Sequence, residues 1–222
     1  QEYTLKFNSW TEPDLQRPGS AASLTTYDDL TVLDKRPLQD KTERIGILKE
    51  IFDNDTGMRD VVAPYLHPSI VNSMSFNARR QTNPEDFDYW RLFFATIRGA
   101  WKPFLHSTYM NDFNLVNPLV AAGTTIVAEE NGYTDDLLGY EAFLRIEIEY
   151  SDGSLSRHNI TNVSVGSNLT LTISPALPND AKVSNIERIS HLLKMRAADT
   201  VTLSHGSLST IISFDAVTTD EG

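Results

Sequence analysis

The sequence predicts a mainly β protein, an antiparallel β-sandwich or barrel with one embedded amphipathic helix and an extended N-terminal arm. Three observations lead to this prediction. Short segments of alternating apolar and polar residues recur along the 222-residue chain, turn residues separate them, and only residues 84–98 have convincing helical spacing. A chain of this length buries a sizeable core without cross-links, and this one contains no cysteine.

The first forty residues are predicted to form an arm or edge segment, distinct from a β-rich body over residues 41–222. Prolines and a glycine interrupt the scattered apolar residues of this region: Pro13, Pro18, Gly19 and Pro37. Proline in a sheet is confined to edges and bends, so we expect only a short strand here, at residues 31–34. Such an arm is suited to pairing with a neighbouring subunit.

Strands are predicted before the helix at residues 44–52, 58–63 and 69–78. The sequence Asp53-Asn54-Asp55-Thr56-Gly57 joins the first two as the turn of a hairpin. Three oxygen-bearing side chains before a glycine could also begin a calcium loop, but the glutamate that an EF-hand loop needs after its glycine is missing. A plain turn is therefore favoured, because turns require these same residue types.

The helix is predicted to begin at Pro84, after a capping residue, and to end at Gly99. Its apolar stripe follows intervals of three, four and three: Phe87, Trp90, Phe94 and Ile97. We expect a sheet to bury the last three of these residues, and Asp88 and Arg91 to lie on the wetter side.

A set of aromatic residues in and after the helix could stack sugars or bases, but core packing is favoured. The set is Trp90, Phe93, Phe94, Trp101 and Phe104. Three other aromatics in loop-like sequence are better candidates for contacting a partner: Trp10, Tyr109 and Tyr133.

After the helix, the sequence predicts strands at residues 124–128, 142–150, 159–165, 168–174, 200–204 and 208–217. Residues 143–150 alternate an apolar face with a charged one, which is typical of a half-buried strand. Asp152-Gly153 is a good hairpin turn. Residues 185–193 have apolar residues at helical spacing, and their state is left open.

Catalytic and metal-binding motifs are not recognisable in this sequence, so we predict no catalytic, cofactor-binding or metal-binding residue and no enzymatic activity. The five histidines are dispersed without ligand spacing: His67, His106, His158, His191 and His205. Glu187 and His191 are four residues apart and are interpreted as a surface pair on a helix face. Ser204 and His205 are assigned to a turn rather than to a triad. Paired-carboxylate glycoside chemistry stays open, because spacing in a β-rich sequence does not reveal it.

The formal net charge of −11 argues against a nucleic-acid-binding surface, which needs lysine and arginine. An acidic surface would nevertheless suit a channel through which DNA slides. No apolar run approaches the length of a membrane span, so neither sequence-specific DNA binding nor membrane insertion is expected.

Three segments occur in an order that carries a resemblance. The first is Leu30–Leu38, with Arg36 and Pro37. The second is Arg91–Leu105, which contains Phe93-Phe94, Arg98-Gly99 and Pro103-Phe104 and continues to Asn111-Asp112. The third is Ile189–Leu203, with Arg196 and Asp199. Together they resemble the minor tail or distal tail proteins of siphophage-like tailed bacteriophages.

The resemblance implies a structural virion protein of the tail tip or baseplate, assembled in the host cytoplasm. It implies a ring of copies, with six favoured over three, that connects the tail tube to the hub or fibres. Its partners would be other copies of itself and those tail proteins, and no cofactor is implied. A stand-alone β-sandwich carbohydrate-binding module is the alternative, and a hydrolase is a further one. The first of these alternatives would carry exposed aromatics on one sheet face.

Overall fold

The computed structural model describes residues 2–6, 23–38, 42–46, 50–53, 59–62, 69–78, 84–133, 138–206 and 209–219. These residues form a mainly β fold with one α-helix, which confirms the predicted class. The elements before the helix are β1 (Glu2–Lys6), β2 (Thr26–Tyr27), β3 (Leu30–Leu33), β4 (Thr42–Gly46), β5 (Glu50–Asp53), β6 (Arg59–Val62) and β7 (Ser69–Ala78). The helix α1 (Pro84–Ile97) follows, and then β8 (Phe104–Ser107), β9 (Thr125–Ala128), β10 (Arg145–Tyr150), β11 (Leu155–Val165), β12 (Leu169–Ser174), β13 (Ile186–His205) and β14 (Thr210–Thr218).

The chain divides into two compact units. Unit 1 comprises residues 1–23, 37–102 and 196–219, and unit 2 comprises residues 24–36, 103–195 and 220–222. The long strand β13 contributes to both, since the boundary falls after Met195.

Unit 1 contains a sheet in the order β1–β13–β14–β7–β4. The pairs β1–β13, β14–β7 and β4–β7 are antiparallel. The strands β5 and β6 form a separate antiparallel hairpin, with Asp53 opposite Arg59, as predicted. The intervening calcium-loop candidate, residues 54–57, lies outside the described residues.

The helix α1 packs its aromatic side chains against β7 and β14. The ring of Trp90 lies 4.6 Å from that of Phe76, and the ring of Phe94 lies 5.4 Å from that of Phe214. Burial of Trp90 and Ile97, and exposure of Arg91, confirm the predicted orientation. The predicted bounds of the helix are also confirmed to within one residue.

Two details of the aromatic prediction are wrong. Phe93, which was outside the predicted stripe, is fully buried, whereas Phe94 is only half-buried although its ring contacts that of Phe214. Trp101 is 62% exposed, because the helix has already ended and the chain turns outward there. Asp88 is half-buried rather than exposed.

Gly99 ends the helix as predicted, in the left-handed conformation at φ 65°. Arg98 adopts the same region at φ 52°, and the amide of Lys102 donates to the carbonyl of Ile97 at 2.8 Å. These two left-handed residues reverse the chain immediately before Pro103.

Unit 2 contains strands in the order β2–β3–β8–β13–β10–β11–β12–β9. The pair β3–β8 is parallel, and the other neighbouring pairs in this order are antiparallel. One face of the strands β10–β12, β9 and β13 packs a core of aliphatic and aromatic side chains, which includes Ile126, Ile146, Ile148, Leu171 and Ile189. The hairpin turn at Asp152-Gly153 is confirmed, with Gly153 at φ 82°.

Residues 186–205 form one continuous strand, which settles the segment whose state the sequence left open. Consecutive residues Leu192, Leu193, Lys194 and Met195 are all buried, so both faces of the strand are covered. A strand buried on both sides lacks polar alternation, and its apolar residues then fall at helical intervals by coincidence.

The strand prediction at residues 69–78 is confirmed at both ends. Residues 44–52 were predicted as one strand; the structure describes β4 up to Gly46 and β5 from Glu50, and residues 47–49 lie outside the described residues. Of the predicted arm, β1 pairs with β13, while Val32 and Leu33 of β3 are buried. Residues 7–22 and 39–41 lie outside the described residues, and the boundary at residue 40 stays a prediction.

We predict that Trp90→Ala destabilises the chain by about 3–5 kcal/mol, because it removes a buried aromatic and leaves a cavity. Trp101→Ala is the matched control, and it should change the free energy of unfolding by less than about 1 kcal/mol. Urea unfolding followed by circular dichroism measures both. Equal effects of the two substitutions would contradict the packing of α1 described above.

Candidate functional site

Unit 2 carries two groups of ion pairs, and the arginines and the lysine of both lie largely buried on one face of β10, β11 and β13. These residues, here called the ion-pair network, are Asp28, Glu141, Arg145 and Lys194 in one group and Asp34, Glu147, Glu149, Arg157 and Arg188 in the other. The network lies on the face opposite the aliphatic core, because strand residues alternate between the two faces.

Glu147 is at the centre of this network and is 3% exposed. Its carboxylate lies 2.9 Å from Nη2 of Arg157 and 3.4 Å from Nη2 of Arg188. Arg157 lies directly opposite Glu147 on the adjacent strand β11. Arg188 lies on the other adjacent strand, β13, opposite Glu149, which is two residues further along β10. A buried carboxylate is tolerated only with such pairing, because its desolvation costs several kcal/mol.

Two further ion pairs attach residues 24–36 to this sheet. Nη2 of Arg145 lies 2.5 Å from Oδ2 of Asp28, and Nη2 of Arg157 lies 2.7 Å from Oδ1 of Asp34. Between these two aspartates, β3 pairs in parallel with β8. Burial, and then the nearby charge of Asp28, raises the pKa of Tyr27 to about 12.

Arg188 connects the network to the loop after β8. Its Nη1 donates to the hydroxyls of Ser107 at 3.0 Å and Ser190 at 2.6 Å, and its Nε pairs with Glu149. Its guanidinium also stacks over the ring of Tyr109 at 4.7 Å. Arg36, from the first resemblance segment, approaches the same ring at 5.6 Å. Tyr109 has a left-handed backbone at φ 57°, so these contacts hold a strained residue in place.

Asp112 holds the same loop against β13. Its Oδ2 accepts hydrogen bonds from the hydroxyl of Thr108 at 2.5 Å and from the amide of His191 at 2.7 Å. Beside it, Oδ1 of Asn111 accepts from the amide of Ile189 at 3.0 Å. Asp112, which the resemblance selected, therefore fixes a loop rather than presenting a free carboxylate.

His191 lies among aromatic rings on the opposite face of β13. Ring centroids of Phe113, Tyr133 and Phe143 lie 4.8, 5.3 and 5.3 Å from it. Its Nδ1 is buried without a hydrogen-bond partner in the described structure, and burial lowers its pKa to about 4 despite the opposing charge of Asp112. The predicted surface pair with Glu187 is wrong, because residues four apart on a strand are separated by about 13 Å.

His158 makes the contact that most resembles catalytic chemistry. Its Nε2 lies 3.0 Å from the hydroxyl of Ser156, and its Nδ1 lies 2.7 Å from the carbonyl of Pro175. Burial lowers its pKa, so the ring is neutral near pH 7. A carbonyl takes the place of the carboxylate that orients a triad histidine, and the hydroxyl of Ser156 also lies 3.2 Å from that of Tyr150. The arrangement satisfies polar groups around a buried ring.

The other histidines do not assemble a metal site within the part of the chain that the structure describes. No cluster of three or more metal-ligating side chains occurs there. His106 is buried beside Tyr109, and Nδ1 of His205 lies 2.9 Å from the hydroxyl of Thr210, where β13 turns into β14. The assignment of Ser204 and His205 to a turn is wrong, because both belong to the end of β13. Residues 207–208 and His67 lie outside the described residues. None of the described helices is long and apolar enough to cross a membrane.

The residues selected by the resemblance divide between the two units. Trp90, Phe93, Phe94, Arg98, Gly99 and Arg196 belong to unit 1, together with Pro37 and Asp199, while Arg36, Pro103, Phe104 and Asp112 belong to unit 2. Phe104 is fully buried, Arg98 is exposed and Arg196 is half-buried. The side chain of Asp199 lies outside the described residues.

Sequence reasoning missed the ion-pair network. It assigned the charged side of residues 143–150 to solvent, but Arg145 and Glu147 are buried. The missed signal is the two arginines whose charge is opposite to that of Glu147. Arg157 lies just before the predicted strand at residues 159–165, and Arg188 lies in the segment whose state was left open. Tyr133 is likewise buried, so its predicted role in contacting a partner is wrong, while Tyr109 is half-buried and Trp10 lies outside the described residues.

Comparison with known proteins adds no relative: no protein-family model matches this chain, and no curated protein matches it.

We predict that Asp112→Ala destabilises the chain by about 1–3 kcal/mol, because the amide of His191 and the hydroxyl of Thr108 lose their acceptor. Asp215→Ala, at an exposed position of β14, is the control and should have little effect. Chemical denaturation measures both, and a loss no larger than the control's would contradict the role assigned to Asp112.

We also predict that protonation of His191 opposes folding. Its pKa is about 4 in the folded chain and near 6.5 when unfolded, so the unfolded chain takes up the proton first. Stability is therefore complete above pH 6.5 and falls by up to about 3 kcal/mol as the pH drops to about 4. His191→Phe, which keeps the ring, should remove this part of the pH dependence. Parallel pH profiles for the variant and the original chain would contradict the assignment.

Proposed function

We propose that this protein is a structural component of a phage tail tip or baseplate, forming a ring that connects the tail tube to the hub or fibres. The observation that carries the proposal concerns the three resemblance segments. Parts of them lie on directly neighbouring strands: Val32 of β3 pairs with Leu105 of β8, and His106 of β8 pairs with Leu193 of β13.

This adjacency supports the resemblance, because the segments are far apart in sequence. Residues 30–38 and 189–203 are separated by most of the chain, yet each pairs with β8. Three phrases that occurred in this order by chance would have no reason to occupy adjacent strands. Arg36 and Asp112 also lie within one local set of contacts, around Tyr109 and the loop that follows β8.

The character of the charged residues fits a structural role. Each carboxylate of the ion-pair network contacts at least one arginine or lysine. Carboxylates held in this way stabilise a fold, whereas a general acid or base must exchange its proton with substrate.

A carbohydrate-binding module has less support. Such a module would carry exposed aromatics on a sheet face, and among the described residues the large aromatic with high exposure is Trp101, which lies on the turn after α1. A hydrolase would need a nucleophile or an acid pair in an accessible cleft, and the Ser156–His158 contact surrounds a buried ring.

The proposal is tested by the mass and shape of the purified chain. Mass photometry should give about six times the 24.9 kDa of one chain, or three times in the alternative, and negative-stain images should show closed rings. The Ser156→Ala variant is the control for catalysis, and it should assemble like the original chain. A monomer that binds glycans, or turnover of peptidoglycan or polysaccharide that is lost in Ser156→Ala, would contradict the proposal.

A further inference from the structure

Unit 2 carries a sheet surface that lacks charge. Asp, Glu, Lys and Arg make up 22% of the whole chain, yet none of them, and no histidine, occurs in residues 113–128 or 159–179. These two segments supply β9, β12 and most of β11, which are neighbours in the sheet. The charges of unit 2 are instead concentrated in the ion-pair network and in loops.

The outward side of these three strands is a regular array of small uncharged side chains. The register places Asn162, Thr172 and Thr125 in one row across the strands, and Ser164, Thr170 and Val127 in the next. We call these six residues the neutral face. Side chains directly opposite one another on neighbouring strands share a face of the sheet. The inward side is the aliphatic core, with Leu169, Leu171 and Ile126.

The neutral face is open to solvent in the single chain. Asn162, Ser164 and Thr125 are exposed, and Thr170, Thr172 and Val127 are half-buried. Three valines elsewhere on the same two segments are also exposed: Val116 at 40%, Val120 at 63% and Val165 at 49%. The cores of protein interfaces are depleted in charged residues in the same way.

We propose that the neutral face contacts a second copy of this chain. This inference rests on the proposed ring, and it identifies the surface that the ring uses. Each copy carries a formal net charge of −11, so two copies repel at long range. A stable contact between them therefore has to lie where no carboxylate is brought against another, and the neutral face provides that surface.

The residue types of the neutral face also reduce the cost of burial. Four of its six side chains are threonine or valine, whose χ1 angles are already restricted, so little conformational entropy is lost on binding. The hydroxyls and the amide can form hydrogen bonds across the contact, whereas a buried charge would need a paired partner.

Other occupants fit less well. The neutral face has no aromatic ring for a sugar to stack on, and no lysine or arginine for phosphate or an anionic lipid surface. A second copy can offer an equally uncharged surface, and assembly into the proposed ring would bring copies together at high local concentration.

The test compares variants that add one negative charge. Thr172→Glu and Asn162→Glu should weaken association by at least about tenfold, because each places an unpaired carboxylate in the contact. Thr200→Glu adds the same charge at an exposed position of β13 and should associate normally, as should Thr172→Val, which removes only the hydroxyl. Mass photometry over a dilution series measures association, and circular dichroism melting verifies that each variant is folded.

Salt dependence gives a second readout. Because an uncharged contact gains from screening of the repulsion between copies, association of the original chain should strengthen between about 50 mM and about 500 mM NaCl. Weakening over this range would indicate a contact made of salt bridges and would overturn the inference.

Rings that form equally well in both neutral-face glutamate variants would overturn the inference alone, while the ring proposal stands. An original chain that stays monomeric at every concentration and salt level would overturn the ring proposal, and this inference with it.

Discussion

The fold of unit 2 depends on the pairing of Glu147 with two arginines. The buried carboxylate requires both Arg157 and Arg188, and each arginine makes a second contact with an element outside its own strand. Arg157 reaches Asp34 beside β3, and Arg188 reaches Ser107 and Tyr109 after β8. Removing Glu147 would take a buried partner from both arginines at once, so elements far apart in sequence are coupled through this one carboxylate. Hydrophobic contacts alone would not specify which strands and loops pack together, because they are non-directional.

The same ion pairs help to hold parts of the resemblance segments together. A short strand such as β3 has few hydrogen bonds to hold it, and it is parallel to β8, which is the less stable pairing per residue. Ion pairs at Asp28 and Asp34, on either side of the strand, compensate for its shortness. Arg36 and Asp112 act at the same place through Tyr109 and the following loop. The resemblance therefore selects residues that maintain a local assembly of strands.

The sequence predicted the elements that bury one face, because their apolar residues recur at the interval of that face. The strand at residues 69–78, the helix at residues 84–97 and the hairpin at Asp152-Gly153 belong to this group. Prediction from the sequence failed for strands in which both faces are buried. Residues 192–195 have no polar alternation because both sides are buried, and Arg145 and Glu147 were assigned to water because the segment that covers them lies more than a hundred residues away. Periodicity records which residues alternate, but not what lies against each face. For the same reason the stripe of α1 could not distinguish Phe93 from Phe94.

Charged residues in unit 2 face two competing requirements. They order the elements within one chain, but they hinder contact between copies. A charge pair specifies the arrangement of elements within the chain, because it is costly unless every partner is in place. The same charge on an outer surface hinders contact with an identical copy, since carboxylates outnumber basic residues on each copy. Concentrating charges around Glu147 and leaving β9 and β12 without any allows one sheet to meet both requirements. For a chain with a net charge of −11 this separation matters more, because every added copy would increase the repulsion within the proposed ring.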